Sequence, residues 1–324
     1  MHNLKELFLI KSQGTPNCAY TDIAAFASGE NATDLAQILK GSSFEPEIPC
    51  EAIEIVAGGF DQYAAVPGKE TGKGTLQFAM NPASASGKTE PQWGKALRIL
   101  SDYSLASTTA GTAPSNYVYT PMNDATDGGF LTHYTGSQSA NGALVSRFYN
   151  VKGTFKISGT SSKVPTISFE SEGAFYSEVD GTQPDISSAK ARESAISLKG
   201  AIELVLGSAA YKLLSFEIDG GQTEVNREDI SEVNGAGRTD TTNRKIKLSC
   251  KCYAETKSVI DPLAALKAST EGIFKIIWGS GTKAITFLGT YLQITERKKS
   301  DENGITAFDI KAQFNRNDFT IKVN

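Results

Sequence analysis

Apolar and polar side chains alternate in two well-separated parts of this chain. In LLSFEI (213–218), Leu214, Phe216 and Ile218 share one face. In KIKLSCKCY (245–253), Ile246, Leu248, Cys250 and Cys252 share one, with Lys245, Lys247, Ser249 and Lys251 opposite. Period two on both arms predicts a hairpin with one apolar and one polar face, enclosing an acidic, glycine-bearing loop. The same pattern occurs earlier. Ile53 and Ile55 alternate in Ala52–Val56, Gly58-Gly59 interrupts, an acidic loop with Asp61 and Glu70 follows, and Leu76, Phe78 and Met80 return in register. A hairpin this polar and this long cannot bury both faces, so one face is expected to meet water, a neighbouring subunit or a channel.

After each hairpin the period changes to that of a short amphipathic helix. The first has Thr89-Glu90-Pro91-Gln92 as a capping box and then Trp93, Ala96, Leu97 and Leu100; the second has Asp261 as N-cap, Pro262 at N1, then Leu263 and Leu266. A strand pair closes each half: Phe155/Ile157 with Ile167/Phe169, and Leu292/Ile294 with Phe308/Ile310/Ala312/Phe314. Hairpin, helix, hairpin therefore occurs twice in the same order, and internal duplication is the simplest account, with Leu76 matching Leu248. The expected fold is mainly β: two tandem β-sandwich or barrel units, each with a long hairpin and one short flanking helix. Residues 1–180 form the first domain, 181–197 a linker and 198–324 the second, opening on a strand within Leu198–Leu206. LKELFLI (4–10) reads as a short strand or a clinging arm, and residues 14–50 as loop with one short helix at Thr33–Leu39. The halves differ in the stretch 101–150, rich in Ser, Thr, Gly and Ala. It is expected to carry strands of its own in YVYTP and GALVSRFYNV and to serve as an interaction surface.

Charge and composition narrow the function. From Lys212 to Glu232 there are six acids against two bases, and from Glu47 to Gly72 five acids against one base. The formal charge of −4 argues against a protein that grips phosphates, since such proteins cluster Lys and Arg. No run approaches a membrane span, and MHNLKELFLIKSQG is too broken by charge for a signal peptide, so the expectation is a soluble protein made in a cytoplasm. Four scattered cysteines make neither a disulfide framework nor a paired zinc site, and Cys250 and Cys252 read as buried free thiols. Of two histidines, His133 falls in what reads as a Gly/Ser/Thr-rich loop, and no nucleophile–base arrangement forms around it. NPASASGKT (81–89) ends like a phosphate-binding loop, but Pro82 stands where that motif needs glycine. The hairpin tip Asp301-Glu302-Asn303-Gly304 lacks calcium-loop spacing. Glu228/Asp229 lie among four other acids and read as a solvated surface. No catalytic residue, metal site or cofactor is expected, and the chain reads as a non-enzyme.

Several stretches together resemble the major tail tube protein of long-tailed bacteriophages. They are GTP at 14–16, the hairpin around Gly58-Gly59, PQWGKALRIL (91–100), YVYTPMN (117–123), VKGTFKISG (151–159), PTISFESEGAF (165–175) with DGTQP behind it, and FEIDGGQTEVNREDISEVNGAG (216–237). The resemblance implies tail-tube-like units whose long hairpins join those of neighbours into a β-barrel around a central channel, in rings that stack into a tube. It implies the virion tail as location, assembly in the host cytoplasm, and as partners the chain itself, other tail proteins and DNA in transient, non-specific passage. With two units per chain, a trimeric ring with pseudo-sixfold symmetry is expected, a hexamer being the alternative. Acids facing the channel would repel phosphates, which makes Asp61, Glu70, Glu224, Glu228, Asp229 and Glu232 the candidates for lumen or ring contacts. Two alternatives stand beside this. One is a ring-forming baseplate or injection-needle component. The other is a β-sandwich carbohydrate-binding module or hydrolase using Trp93, Trp278 or tyrosines as sugar platforms.

Overall fold

Alternation in the sequence becomes strand pairing in the structure, a computed structural model. It describes residues 6–14, 23, 35–36, 38–51, 65–82, 90–110, 113–123, 128–136, 142–161, 163–184, 203–206, 209–228, 231–254, 262–280 and 283–323. In chain order the first half carries β1 (Glu6–Ser12), β2 (Leu35–Ala36), β3 (Ser43–Glu47), β4 (Cys50–Glu51), β5 (Val66–Pro67), β6 (Thr71–Ala79), α1 (Gln92–Ser101), β7 (Tyr103–Ala110), β8 (Ala113–Pro121), β9 (Gly129–Gly136), β10 (Ala143–Thr160) and β11 (Thr166–Gly181). The second carries β12 (Glu203–Leu206), β13 (Ala209–Asp219), β14 (Gln222–Glu228), β15 (Ala236–Arg244), β16 (Lys247–Tyr253), α2 (Pro262–Ala268), β17 (Glu271–Ser280), β18 (Lys283–Glu302), β19 (Ile305–Phe314) and β20 (Thr320–Val323). The protein is mainly β.

The observed registers place apolar residues opposite apolar ones. Phe216 faces Cys250 and Ile218 faces Leu248 between β13 and β16, Phe155 faces Phe169 between β10 and β11, and Ile294 faces Ala312 between β18 and β19. All these pairs are antiparallel. In the first half the pairing order is β1–β9–β10–β11–β6–β3. In the second it is β12–β17–β18–β19–β16–β13, and β12 also pairs with β13, so these six strands close on themselves and leave no free edge. Each half also sends a small two-stranded ribbon out of its stem: β4–β5 between β3 and β6, and β14–β15 between β13 and β16.

The halves share one sheet and one core. The lower part of β10 pairs with β13, Ile157 facing Ile218, and the C-terminal β20 bridges β18 to β8. Phe319, fully buried ahead of β20, stacks on Phe155 of the first half and on Phe287 of the second, each at 6.3 Å between centroids. Helix α1 buries Trp93, Ala96, Leu97 and Leu100 in this core. Its Gly94 lies where a Cβ would come within 2.0 Å of the Tyr119 hydroxyl, so only glycine fits.

Several local expectations are corrected. The predicted helix at Thr33–Leu39 is not one where it is described: Leu35–Ala36 is a strand on β1, whose open edge offers backbone partners that outweigh a weak local helical pattern. Strand β6 takes its partner from Ser43–Glu47, ahead of the predicted arm at Ala52–Val56, which lies outside the described residues. The first helix begins after Pro91 with no side-chain cap. Glu90 instead accepts two hydrogen bonds from the Arg98 guanidinium, at 2.9 and 3.1 Å, while Thr89 lies outside the described residues. Asp261, the expected cap of α2, also lies outside them.

Because Trp278 is fully buried against Phe216, its replacement by alanine should cost about 3–5 kcal/mol of unfolding free energy. Ile273, 55% exposed on the same strand, should tolerate serine within about 0.5 kcal/mol. Chemical denaturation of the two variants checks this, and equal losses would show that the β17 core side is misassigned.

Candidate assembly interface

The β14–β15 ribbon occupies the acidic, glycine-bearing loop that the sequence places between the arms of the second hairpin. It is a separate two-stranded sheet, with no ladder to the main one, laid across β10 and β11. Gly220-Gly221 leads into it. Gly221 adopts φ +54°, and a Cβ there would come within 2.1 Å of the Lys245 carbonyl oxygen, so the turn depends on glycine.

Its base is held by a polar cluster at the C-terminal end of α1. Asp102 caps the helix in the left-handed region, φ 52°. Its carboxylate pairs with Lys152 of β10, both side chains buried, and accepts a 2.8 Å hydrogen bond from the Thr241 hydroxyl. Lys152 also donates to the Ile99 carbonyl at 3.2 Å. Arg244 donates to the carbonyls of Ser101 at 2.8 Å and Met122 at 2.9 Å, and the Gln222 amide donates to Ser101 at 3.1 Å. Two cations thus meet the carbonyl end of α1, where the helix dipole is negative.

The tip is held by Asn234. Its amide nitrogen donates to the Phe175 carbonyl at 2.8 Å, and its amide oxygen accepts from the Tyr149 hydroxyl at 3.1 Å and from the Ala236 N–H at 3.2 Å. Ala236 packs with Phe130, Tyr149 and Ala174 in a small apolar cluster. Between base and tip the inner face is polar and poorly matched. Gln222 Oε1, Glu224 Oε1, both amide atoms of Asn226 and Thr239 Oγ1 are buried with no partner among the described residues. On the outer face Val225 is 46% exposed and, in the turn, Val233 is 76% exposed.

The six candidate acids are not gathered on one surface. Glu224 is half-buried on the inner face, and burial is the main reason its carboxyl is pushed up to about 7; Asp102 and Glu172 add to the shift, and Arg244 and a backbone N–H oppose it. Glu228 is exposed at the end of β14, and Glu232 is half-buried in the turn. Glu70 is half-buried beside the ribbon tip, where its N–H donates to the Asn234 carbonyl at 3.0 Å. Asp61 and Asp229 lie outside the described residues. The residues that hold the ribbon (Asp102, Lys152, Tyr149, Asn234 and Arg244) carried no signal in the sequence, apart from Asn234-Gly235 as a turn.

Other candidate chemistry is placed clearly. His133 lies in β9, not in a loop. It is buried, stacked on Phe8 at 4.1 Å, with one ring nitrogen 3.2 Å from the Phe44 carbonyl and the other 3.3 Å from the Thr135 hydroxyl; burial lowers its pKa. Cys250 and Cys252 are buried free thiols, that of Cys252 pushed up by burial to about 12. Trp93 and Trp278 are fully buried and present no ring to a sugar. Among the described residues no group of three or more His, Cys, Asp or Glu could hold a metal ion, and no helix is long and apolar enough to cross a membrane. No model of a known protein family matches the chain, and neither does any curated protein.

Lys152→Met leaves Asp102 buried without its cation and should cost about 3–5 kcal/mol in denaturant unfolding, part of it regained when Asp102→Leu is added. For Glu224, a carboxyl that titrates near 7 in the fold against an ordinary 4.5 binds its proton more tightly folded than unfolded. That contribution is complete at low pH and is lost as pH rises from the unfolded value through about 7. Denaturation midpoints measured across this window should fall with pH, and Glu224→Gln should flatten the fall.

Proposed function

We propose that the chain is a structural virion protein of the tail tube, a non-enzymatic building block that assembles with copies of itself into stacked rings around a channel for DNA. The observation that carries the reading is the repeated order of strands. Leaving aside β2, the β7–β8 hairpin and β20, both halves run strand, stem strand, ribbon, stem strand, helix and then three paired strands, with matching neighbours along that order. On this reading they are two tandem tail-tube-like units, the first spanning residues 1–180 and the second 198–324. Three chains would then supply six similar units to a ring, with six chains as the alternative.

Physical considerations support the same conclusion. Closure of the second half removes its edges, whereas the first half keeps β3 and β2 as ends of its order. Open edges in a self-assembling protein are places where a neighbour continues the sheet. An acid-rich ribbon facing a channel would let phosphates slide without adhering, over a range set by a screening length of about 8–10 Å. The tail as location and other tail proteins as partners belong to this proposal.

Negative-stain electron microscopy of the purified chain tests it. Long tubes with a threefold or sixfold repeat are expected. Single rings that never stack would place the protein in a baseplate or needle instead, and a chain that stays monomeric at high concentration would overturn the ring-forming reading.

A further inference from the structure

A cleft where β16 begins and β19 ends is lined by four cations, Arg244, Lys245, Lys247 and Arg316, with the amides of Gln313 and Asn315 and no acid among the described residues. Its volume is about 320 Å³, and the buried Ile246 and Phe314 back it. In a chain whose formal charge is −4, this is a local excess of positive charge in a concave site. Low-dielectric walls focus the field of such charges, and they repel one another until an anion joins them.

The cations are held in place. Arg244 gives its terminal nitrogens to the carbonyls of Ser101, Asp102 and Met122 at the end of α1, which fixes its charge without a carboxylate. Among the described residues neither Lys245 nor Lys247, both exposed, forms an ion pair. Arg316 takes φ +61° in the 3₁₀ turn Asn315–Asn317, a conformation that strains a residue other than glycine. Asp318 fixes that turn by accepting from the N–H groups of Thr290 and Tyr291, and the Arg316 guanidinium lies 4.2 Å from the centre of the Tyr291 ring. Two acids stand nearby, and both are engaged. Glu271 accepts a 2.7 Å hydrogen bond from the Asn315 amide and is 3.7 Å from Arg316, beyond hydrogen-bond length. Asp219, opposite Lys247 across β13 and β16, accepts from the Gly221 N–H at 2.9 Å.

We propose that this cleft binds a small, multiply charged oxyanion of the phosphate class, with Lys247 and Arg316 as its direct contacts and Arg244 and Lys245 adding to the field. A guanidinium offers a planar fork to two phosphate oxygens and an ammonium a compact charge, so the pair suits this chemistry. The volume is at the low end for ligand sites and fits a phosphate or diphosphate group. A nucleic-acid strand would need a stripe of free cations, and the sheet face beyond Lys247 does not provide one. There Lys156 is paired with Glu217, Lys251 with Glu302, and Lys298 and Lys311 with Glu296. The site goes beyond the ring-forming reading and does not depend on it.

Isothermal titration calorimetry of the full-length chain with inorganic pyrophosphate, in low-salt buffer free of phosphate, tests it. Saturable binding with a dissociation constant of about 1 mM or tighter is expected. Lys247→Gln and Arg316→Asn should each weaken it at least about tenfold, since each removes a charge-assisted contact. Both side chains are exposed, and asparagine tolerates the left-handed backbone at 316, so denaturation midpoints should stay near the wild-type value. Lys298→Gln, which removes a lysine paired with Glu296 on the same sheet face, should leave the affinity within about twofold. Absence of saturable heat, or equal weakening by all three variants, would overturn the proposal. A short single-stranded oligonucleotide without terminal phosphates should bind at least about tenfold more weakly than pyrophosphate. Tighter binding of the oligonucleotide would put a polymer track in place of the cleft and would also overturn it.

Discussion

A charged pair taken out of water organises the first half of this protein. Lys152 and Asp102 are both almost wholly buried, and neither charge could remain there alone, because the cost of desolvating an ion is recovered only through a close partner and full hydrogen bonding. The structure supplies both. Asp102 is fixed by its role as the left-handed cap of α1, Lys152 by its strand and by the Ile99 carbonyl, and the remaining carboxylate oxygen by Thr241 of the ribbon. Helix, strand and ribbon, from three distant parts of the chain, are therefore held in one relation by a single electrostatic requirement.

Around that point the architecture answers the edge problem in two ways. The second half closes six strands into a circuit and has no edge left to protect. The first half has the same order but stays open, and its end strand β3 carries Glu45, Pro46 and Glu47, residues that discourage uncontrolled pairing. The cross-half pairs β10–β13 and β20–β8, with Phe319 between the two sets of aromatic rings, bind the halves into one body with a continuous core. The halves resemble each other in order yet are joined by packing.

The ribbon rests on the sheet through a largely polar face. On β14–β15 the inner face is polar, with side-chain atoms of Gln222, Glu224, Asn226 and Thr239 that meet no partner among the described residues, and Val225 on the outer face is 46% exposed. Departures from consistency of this kind concentrate where a protein is used. Glu224, held near neutrality in its titration by burial among Asp102 and Glu172, is part of the same mismatch, since it is an acid placed where an acid is poorly accommodated.

The amino-acid sequence by itself determined that the segments around Phe155, Phe169, Phe216, Leu248, Ile294 and Ile310 are strands and which side of each is apolar. That Phe155, Phe169, Ile218, Leu248, Ile294 and Ala312 lie on the buried side follows from period two, a local property that each segment carries whatever its neighbours do. It also determined the burial of Trp93, Trp278, Cys250 and Cys252. Only the tertiary structure decided that His133 is in a strand, that Leu35–Ala36 pairs with β1, and that the acidic loop is a ribbon turned back on β10 and β11. It alone decided that Glu224 lies inside while Glu228 stays exposed. The reason is that these outcomes depend on partners far away in sequence. Asp102 meets Thr241 and Tyr149 meets Asn234 across most of a domain's length, and nothing in the spacing or type of those residues says which distant group will complete a buried charge or an open edge.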